Sequence, residues 1–418
     1  MSRLSGAPAS MWLWMVLLLL LPLPAGAAVE PVFSDGGPDD AAYGAAAGYP
    51  TQRGGARLPQ RDMVGDYSRF DTLWPSHVVA KPAAPSLLRR GVDELALSYR
   101  YGGSNYTLND YLRRNPTTGL LIARDDTILF EHYRYGRTDR DRLLSQSMAK
   151  TITAMLLGIA VSEGAIRSID QPAADYVPGI GGTEYGRTSL RDLLHMASGV
   201  AFREVYDGED DSAKLGSMLF VGGVPPAQAV AQFNTREAPP GTRFHYAGTE
   251  TEVLGLAVSH AVHMPLAQYL QSRIWQPMGA EADATWVVDG TGQEVANCCF
   301  NATLRDWARF ALMLAHDGAW NGRQIIPRQW ILDATSVAAP YLAPGTATRG
   351  DGYGYQVWLL RGSRRAFALR GIHGQVIFID PALHLVLVHT AVRLQAAGDP
   401  AAAELNVLWR ALVAQFGG

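Results

Sequence analysis

Lysine is nearly missing from this chain. Of 36 Lys+Arg residues in 418, only Lys81, Lys150 and Lys214 are lysine, which leaves 33 arginines. Cysteine is scarcer still, with one adjacent pair, Cys298-Cys299. Such a pair cannot build a disulfide framework, and a ring closed between neighbours is small and strained. Two free thiols in a packed segment are therefore expected. No second Cys cluster and no His-x-x-x-His pairing stands beside them, so that region has no metal-ligand spacing. Excess charge of either sign is also lacking. The net charge is -3 and there is no basic stripe, which argues against nucleic acid as a partner. One notable hydrophobic run exists, Met11 to Leu23. As a helix it spans only about 20 Å, short of a hydrocarbon core of roughly 30 Å.

That run follows Arg3 and precedes Ala25-Gly26-Ala27, a small-x-small pattern. Residues 1–27 read as a signal peptide cleaved after Ala27, which places the protein outside the cytoplasm, secreted or periplasmic, with no stable membrane anchor. A transmembrane anchor is the competing reading. No Cys follows the run to support a lipid anchor. Residues 28–62 are rich in Gly, Ala, Pro and Asp, as in Asp35-Gly36-Gly37-Pro38, and are expected to be a flexible leader. The remainder, 63–418, is long enough for a large core, and 48% of the chain is hydrophobic.

Strands are expected at Gly119–Ala123 and Thr127–Tyr133, with Arg124-Asp125-Asp126 as a hairpin turn. Thr151 to Val161 is almost entirely apolar and predicts a buried helix. Thr188 to Leu194 reads as a capped helix start, and 251–280 and 303–316 as amphipathic helices. Short β-rich runs return at Gly354–Leu359, Ala366–Leu369, Val376–Ile379 and Leu385–Val388, before a terminal helix over about 402–416. Strands at both ends with helices between them predict an α/β (α+β) fold. One antiparallel sheet is built from both termini and flanked by helices, with an all-helical domain inserted. The sheet part covers about 63–145 and 300–418, and the helical part about 146–299.

Chemistry enters with Ser147-Met148-Ala149-Lys150. Ser-x-x-Lys puts a hydroxyl and an amine one helical turn apart on one face. Arg cannot lose its proton in a protein, whereas a buried Lys can, so a lysine kept in an arginine-rich chain marks a candidate base. A serine hydroxyl is a poor nucleophile until such a base stands within reach.

Two further elements follow in order, Phe244-His245-Tyr246-Ala247-Gly248 and Gly371-Ile372-His373-Gly374-Gln375. Longer stretches accompany them, among them Asp192-Leu193-Leu194-His195-Met196-Ala197-Ser198-Gly199-Val200 and Ala302-Thr303-Leu304-Arg305-Asp306-Trp307. Together, over roughly 75–418, they resemble the serine β-lactamase and penicillin-binding-protein superfamily. Within it the chain looks most like class C-type esterases and 6-aminohexanoate-dimer (nylon-oligomer) hydrolases.

The resemblance implies Ser147 as nucleophile, Lys150 as base, and Tyr246 as a proton relay to the leaving group. It implies a backbone donor for the oxyanion at Ile372, on a strand completed by His373 and Gly374, with His373 either touching substrate or packing. It implies a substrate-contacting tyrosine at Tyr206. Asp210 and Asp211 either attract an amine-bearing substrate or form a solvated acidic loop. No metal and no cofactor is implied. Gly248 stands where a β-lactamase carries Asn, and Lys-Thr-Gly is absent, which argues against lactam antibiotics. The expected activity is hydrolysis of a small-molecule ester or linear amide. The alternatives are a β-lactamase or D-alanyl-peptide hydrolase, and a non-catalytic penicillin-binding-like module. The sequence leaves the natural substrate and oligomeric state open.

Overall fold

The computed structural model describes residues 1–2, 28–53 and 58–417. The expected signal peptide falls, apart from its first two residues, outside the described residues.

Nine strands form the main sheet among the described residues: β1 (Val32–Phe33), β2 (Arg89–Arg90), β3 (Thr117–Arg124), β4 (Thr127–Tyr133), β5 (Gly352–Tyr353), β6 (Trp358–Leu359), β7 (Phe367–Gly371), β8 (Gln375–Asp380) and β9 (Leu385–Ala391). Their order is β1-β4-β3-β9-β8-β7-β6-β5, with β2 also on β4. Only β1 and β2 run parallel to their neighbour. The first and last thirds of the chain meet at the β3–β9 pair, where Leu121 faces Val388. Among the described residues six helices of ten residues or more accompany the sheet: α1 (Gln60–Leu73), α2 (Ala149–Ser162), α3 (Asp211–Phe220), α4 (Gly248–Val262), α5 (Leu304–Ala315) and α6 (Ala401–Gly417).

Both faces of the central strands are covered, which explains their continuous apolar runs. Alternation then selects the layer. Leu121, Ala123, Ile377, Val386 and Val388 pack into one core with Trp307, Phe310 and Ala311 of α5. Leu120, Ile122, Phe378, Leu385 and Leu387 pack into the other with Leu405, Leu408, Trp409 and Leu412 of α6. Each fully buried Leu or Ile contributes on the order of 1.5–3 kcal/mol over leaving it in water.

Between the two sheet-forming parts lies the helical lobe. Its axis is α2, buried on all sides over Ala149–Ala160 as its unbroken apolar run predicts. Gly158 is needed there, because a Cβ would come within 2.4 Å of the Trp330 indole. A second, four-stranded sheet joins the lobe to the main sheet, in the order Ser76–Val79, Ala284–Val287, Phe300–Ala302, Leu143–Leu144. The strand Ala284–Val287 lies within the stretch expected to be helical.

Two further expectations need correction. The 28–62 leader is built into the fold over its described residues. Val32–Phe33 pairs with β4, the Tyr43 hydroxyl donates to the Val392 carbonyl at 2.6 Å, and Tyr43 and Tyr49 are buried. Its Gly/Ala-rich composition conceals these aromatic anchors. The strand expected at 354–359 is broken, because Gln356 takes φ 56° and turns into the helical lobe. There its carbonyl accepts from Thr151 Oγ1 at 2.7 Å, and its Oε1 from Thr251 Oγ1 at 2.7 Å. Its Nε2 donates to the Leu193 and Leu194 carbonyls.

Candidate active site

Strand Leu143–Leu144 delivers the chain to a tight turn at the head of α2. The Ser145 N–H donates to the Phe300 carbonyl at 2.8 Å, and the Phe300 N–H returns a bond to Ser145 Oγ at 3.1 Å. Gln146 then takes φ 47°, a left-handed conformation that costs a non-glycine residue about 1–3 kcal/mol. Its amide donates to the Tyr67 hydroxyl at 2.9 Å. Ser147 follows in a 3-10 turn, half-buried, and Lys150 sits in the first turn of α2.

Lys150 is 2% exposed. Its Nζ lies 3.0 Å from Ser147 Oγ and donates to the Asn297 carbonyl at 2.8 Å. Burial pushes the amine below its ordinary value, against the pull of Glu204 and Glu252. Tyr246 completes the group. Its ring centroid is 5.2 Å from Lys150 Nζ, and the Ser147 side chain lies beside its hydroxyl. Trp358 stacks on that ring with centroids 5.6 Å apart, and Tyr353 meets it edge-on. Burial first and the Glu204 carboxylate second push the Tyr246 phenol well above its ordinary value. The two shifts are opposite in sign and consistent in effect. They favour a neutral lysine beside a neutral phenol.

The end of β7 closes the site. A Cβ on Gly371 would lie 2.5 Å from the Ser145 carbonyl oxygen, so only glycine lets this strand approach the Ser147 turn so closely. Ile372 follows and lines the cleft. His373 lines the cleft and packs edge-on against Tyr67, while its Nδ1 bonds the Arg393 carbonyl at 2.6 Å. Gly374 turns away, its carbonyl accepting from His389 Nδ1 at 2.7 Å.

Tyr206 also lines the cleft, and its hydroxyl donates to Glu204 Oε1 at 2.7 Å. Glu204 Oε2 accepts from the Gly248 N–H at 2.6 Å, at the N-terminus of α4, where a carboxylate is favoured. Asp210 is neither a solvated loop residue nor a free carboxylate. It is buried, caps α3 through the Ala213 N–H, and accepts from the Val205 and Tyr206 N–H groups. Asp211 pairs with Lys214 at 2.7 Å. His245 is structural, its Nε2 on the Phe202 carbonyl.

Several residues of the site had no sequence signal. Glu204 carries no spacing motif. Asn297 is held by Glu252, whose carboxylate accepts the Asn297 and Ala296 N–H groups and is itself raised to about 7, chiefly by burial. Asn297 directly precedes the cysteine pair, which is a disulfide and not two free thiols. Cys299 takes φ 71°, and the turn brings the two sulfur atoms together. Tyr67, from α1, comes from the edge of the supposed leader.

An open cleft of about 820 Å³ adjoins Gln146 and Ile372. Tyr67, Phe70, Trp74, Tyr206 and Phe220 give it aromatic walls, and Asp66 and Glu209 give it acidic groups. Lys214, which also lines it, is paired with Asp211.

A serine at hydrogen-bond distance from a buried, destabilised ammonium, set between a mixed sheet and a helical lobe, defines a serine hydrolase. Comparison with known proteins narrows the class. Residues 108–408 match the family model described as Beta-lactamase, and the chain belongs to that family. It is 28% identical over 369 residues to a 6-aminohexanoate-dimer hydrolase of Paenarthrobacter ureafaciens, covering 85% of this chain and 91% of that one. A solved structure named "Putative 6-aminohexanoate-dimer hydrolase from Bacillus anthracis" superposes with a TM-score of 0.78 at 24% identity, covering 88% of this chain and 98% of that one. An octameric penicillin-binding protein homologue from Pyrococcus abyssi shares the fold at a TM-score of 0.54 and 17% identity, covering 72% of this chain and 74% of that one.

Proposed function

We propose that this chain is an exported hydrolase that cleaves esters or linear amides through an acyl-enzyme on Ser147. The observation that carries the reading is the 3.0 Å approach of Ser147 Oγ to a buried Lys150 whose amine is pushed toward its neutral form. Neutral Lys150 takes the Ser147 proton as Oγ attacks the carbonyl carbon. Negative charge then develops on the carbonyl oxygen. We assign the N–H groups of Ser147 and Ile372 as its donors, as the family resemblance implies, and donors fixed in advance need no reorganisation. Tyr246 stays protonated, so it relays a proton to the departing alkoxide or amine and not the reverse. Water, activated by the same pair, releases the acid and restores Ser147.

The cleft supports neutral or cationic acyl groups. Aromatic walls suit an alkyl chain, and carboxylates with no unpaired basic side chain disfavour an anionic antibiotic. A Cβ at Gly248 would meet Glu204 Oε2 at 3.3 Å and Asn297 Nδ2 at 3.4 Å, so the space beside the position of the lactamase Asn already holds these groups. The similarity to the 6-aminohexanoate-dimer hydrolase points the same way, toward short linear amides.

The test is turnover of a short-chain p-nitrophenyl ester, a linear ω-aminoacyl amide and nitrocefin by the chain beginning at Ala28, beside Ser147→Ala. Ester or amide turnover that vanishes in the variant supports the reading. Preferential nitrocefin turnover would replace it with a lactamase, and equal rates in both proteins would leave a binding module. N-terminal sequencing of exported protein checks export, with a start at Ala28 expected.

A further inference from the structure

At the far end of the main sheet, three turns meet. The β3–β4 hairpin turns at Asp125 with φ 56°, and the β8–β9 connection turns at His384 with φ 48°. The two turns are tied together, since the Asp125 N–H donates to the His384 carbonyl at 2.9 Å and Arg124 Nε to the Leu383 carbonyl at 3.2 Å. The third is the C-terminus of α5, capped by His316. The imidazoles of His316 and His384 lie with centroids 4.0 Å apart, tilted by 34°. His384 Nδ1 is 2.9 Å from Asp125 Oδ1, and one ligand atom from each of Asp125, His316 and His384 lies within 4.8 Å of the other two. Nothing in the Ser147 chemistry uses this group. β9 separates it from that site, and seven strand residues span more than about 20 Å.

We propose that Asp125, His316 and His384 form a binding site for a divalent transition-metal cation of the Zn²⁺ class. Three arguments carry it. The donor set is two imidazoles and one carboxylate, which suits Zn²⁺ and not Mg²⁺ or Ca²⁺. The spacing is close: tetrahedral ligand bonds of about 2.0–2.2 Å place ligand atoms about 3.3–3.6 Å apart, and here they lie 2.9 Å apart for His384 Nδ1 and Asp125 Oδ1 and within 4.8 Å for all three, a gap that small side-chain rotations close. The groups are also preorganised. The His316 ring lies 4.0 Å from that of His384, whose turn is tied to Asp125 by the Asp125 N–H to His384 carbonyl bond, so the three groups are held together before any ion arrives.

Three protein ligands leave a position open, and it faces a surface pocket of about 340 Å³ that includes Arg364 and Arg365. Arg365 is paired with Asp317, and Arg364 lies 3.8 Å from Asp380. Water or a small carboxylate would complete the shell. An ion bound at His384 Nδ1 takes the place of its hydrogen bond to Asp125 Oδ1. Because the ligands come from two hairpins and a helix end, the bound ion would clamp α5 to the sheet.

The experiment is a Zn²⁺ titration of the full, untagged chain, read by competition with a chromophoric chelator, with melting temperature as a second readout. One ion per chain is expected, together with a melting temperature that rises with zinc concentration. His316→Gln and His384→Asn should each weaken binding at least about tenfold and abolish the thermal shift. Asn tolerates the left-handed turn at 384, so that variant should fold, and its metal-free melting temperature checks this. Wild-type protein that takes up no zinc at micromolar concentration overturns the proposal. So does undiminished uptake by the double variant, which would place the ion elsewhere.

Discussion

In the mechanism we propose, Lys150 and Tyr246 divide the proton chemistry between them, and the division sets a direction for the pH profile. A protonated lysine cannot take the Ser147 proton. Activity should therefore rise with pH along one limb, centred below the ordinary lysine value of 10.5 because burial lowers it. Lys150→Arg should be as inactive as Lys150→Ala, with kcat/KM down roughly 10²–10⁴-fold, since a guanidinium stays charged. Steady-state kinetics on a p-nitrophenyl ester checks this, and wild-type turnover by the Arg variant would remove Lys150 as the base. Glu204 gives a second, finer test. Its negative charge favours the ammonium, so Glu204→Gln should lower the Lys150 pKa further and move the acid limb to lower pH. A shift to higher pH would contradict the placement of that charge. Ser147 and Lys150 were legible in the sequence because one helical turn holds both. Tyr246 needed the family resemblance. Glu204 and Asn297 were illegible because they reach the site from loops 44 residues before Gly248 and 147 residues beyond Lys150, with no periodicity linking them.

At the scale of elements, Gln356 joins the two parts of the molecule. Its side chain makes three bonds, to Thr251 Oγ1 on α4 and to the carbonyls of Leu193 and Leu194, inside a site where the residue is 2% exposed. At about 1 kcal/mol per bond, Gln356→Ala should cost about 3 kcal/mol. Chemical denaturation should show the loss, and Gln356→Glu should not restore it, since a carboxylate cannot donate to two carbonyls. This residue also explains where strand prediction failed. Alternation and apolar content identified β3, β4, β8 and β9, whose environment is repetitive. They could not identify a break imposed by a single long-range polar anchor. The leader was misjudged for a related reason: composition averages over a segment, whereas Tyr43 and Tyr49 act one at a time.

For the molecule as a whole, the sheet core sets the response to acid. His389 of β9 is completely buried, with Nε2 near the Tyr111 and Thr117 hydroxyls and Nδ1 on the Gly374 carbonyl. Burial lowers it to about 3 from the usual 6.5. Between those values the unfolded chain holds a proton that the folded one does not. Stability is therefore intact above about pH 6.5 and falls as the pH drops toward 3, by at most about 1.4 kcal/mol per pH unit. A His389→Gln variant should lose this part of the slope, whatever its stability at neutral pH. Urea midpoints measured across pH 4 to 7 would reveal it, and parallel slopes for both proteins would discount it.

The N-terminal arm has a consequence for the order of events in synthesis. Tyr43 bonds a carbonyl 349 positions later, and Tyr67 of α1 lies against His373. One wall of the cleft therefore leaves the ribosome first and waits for nearly the last strand before it has anything to stand on. Loops that long close late. A nascent chain stopped before about residue 390 already holds Ser147, Lys150 and Tyr246, yet has no finished cleft to use them in. Ser147, Lys150 and Tyr246 are thus made long before the wall of the cleft beside them can be finished.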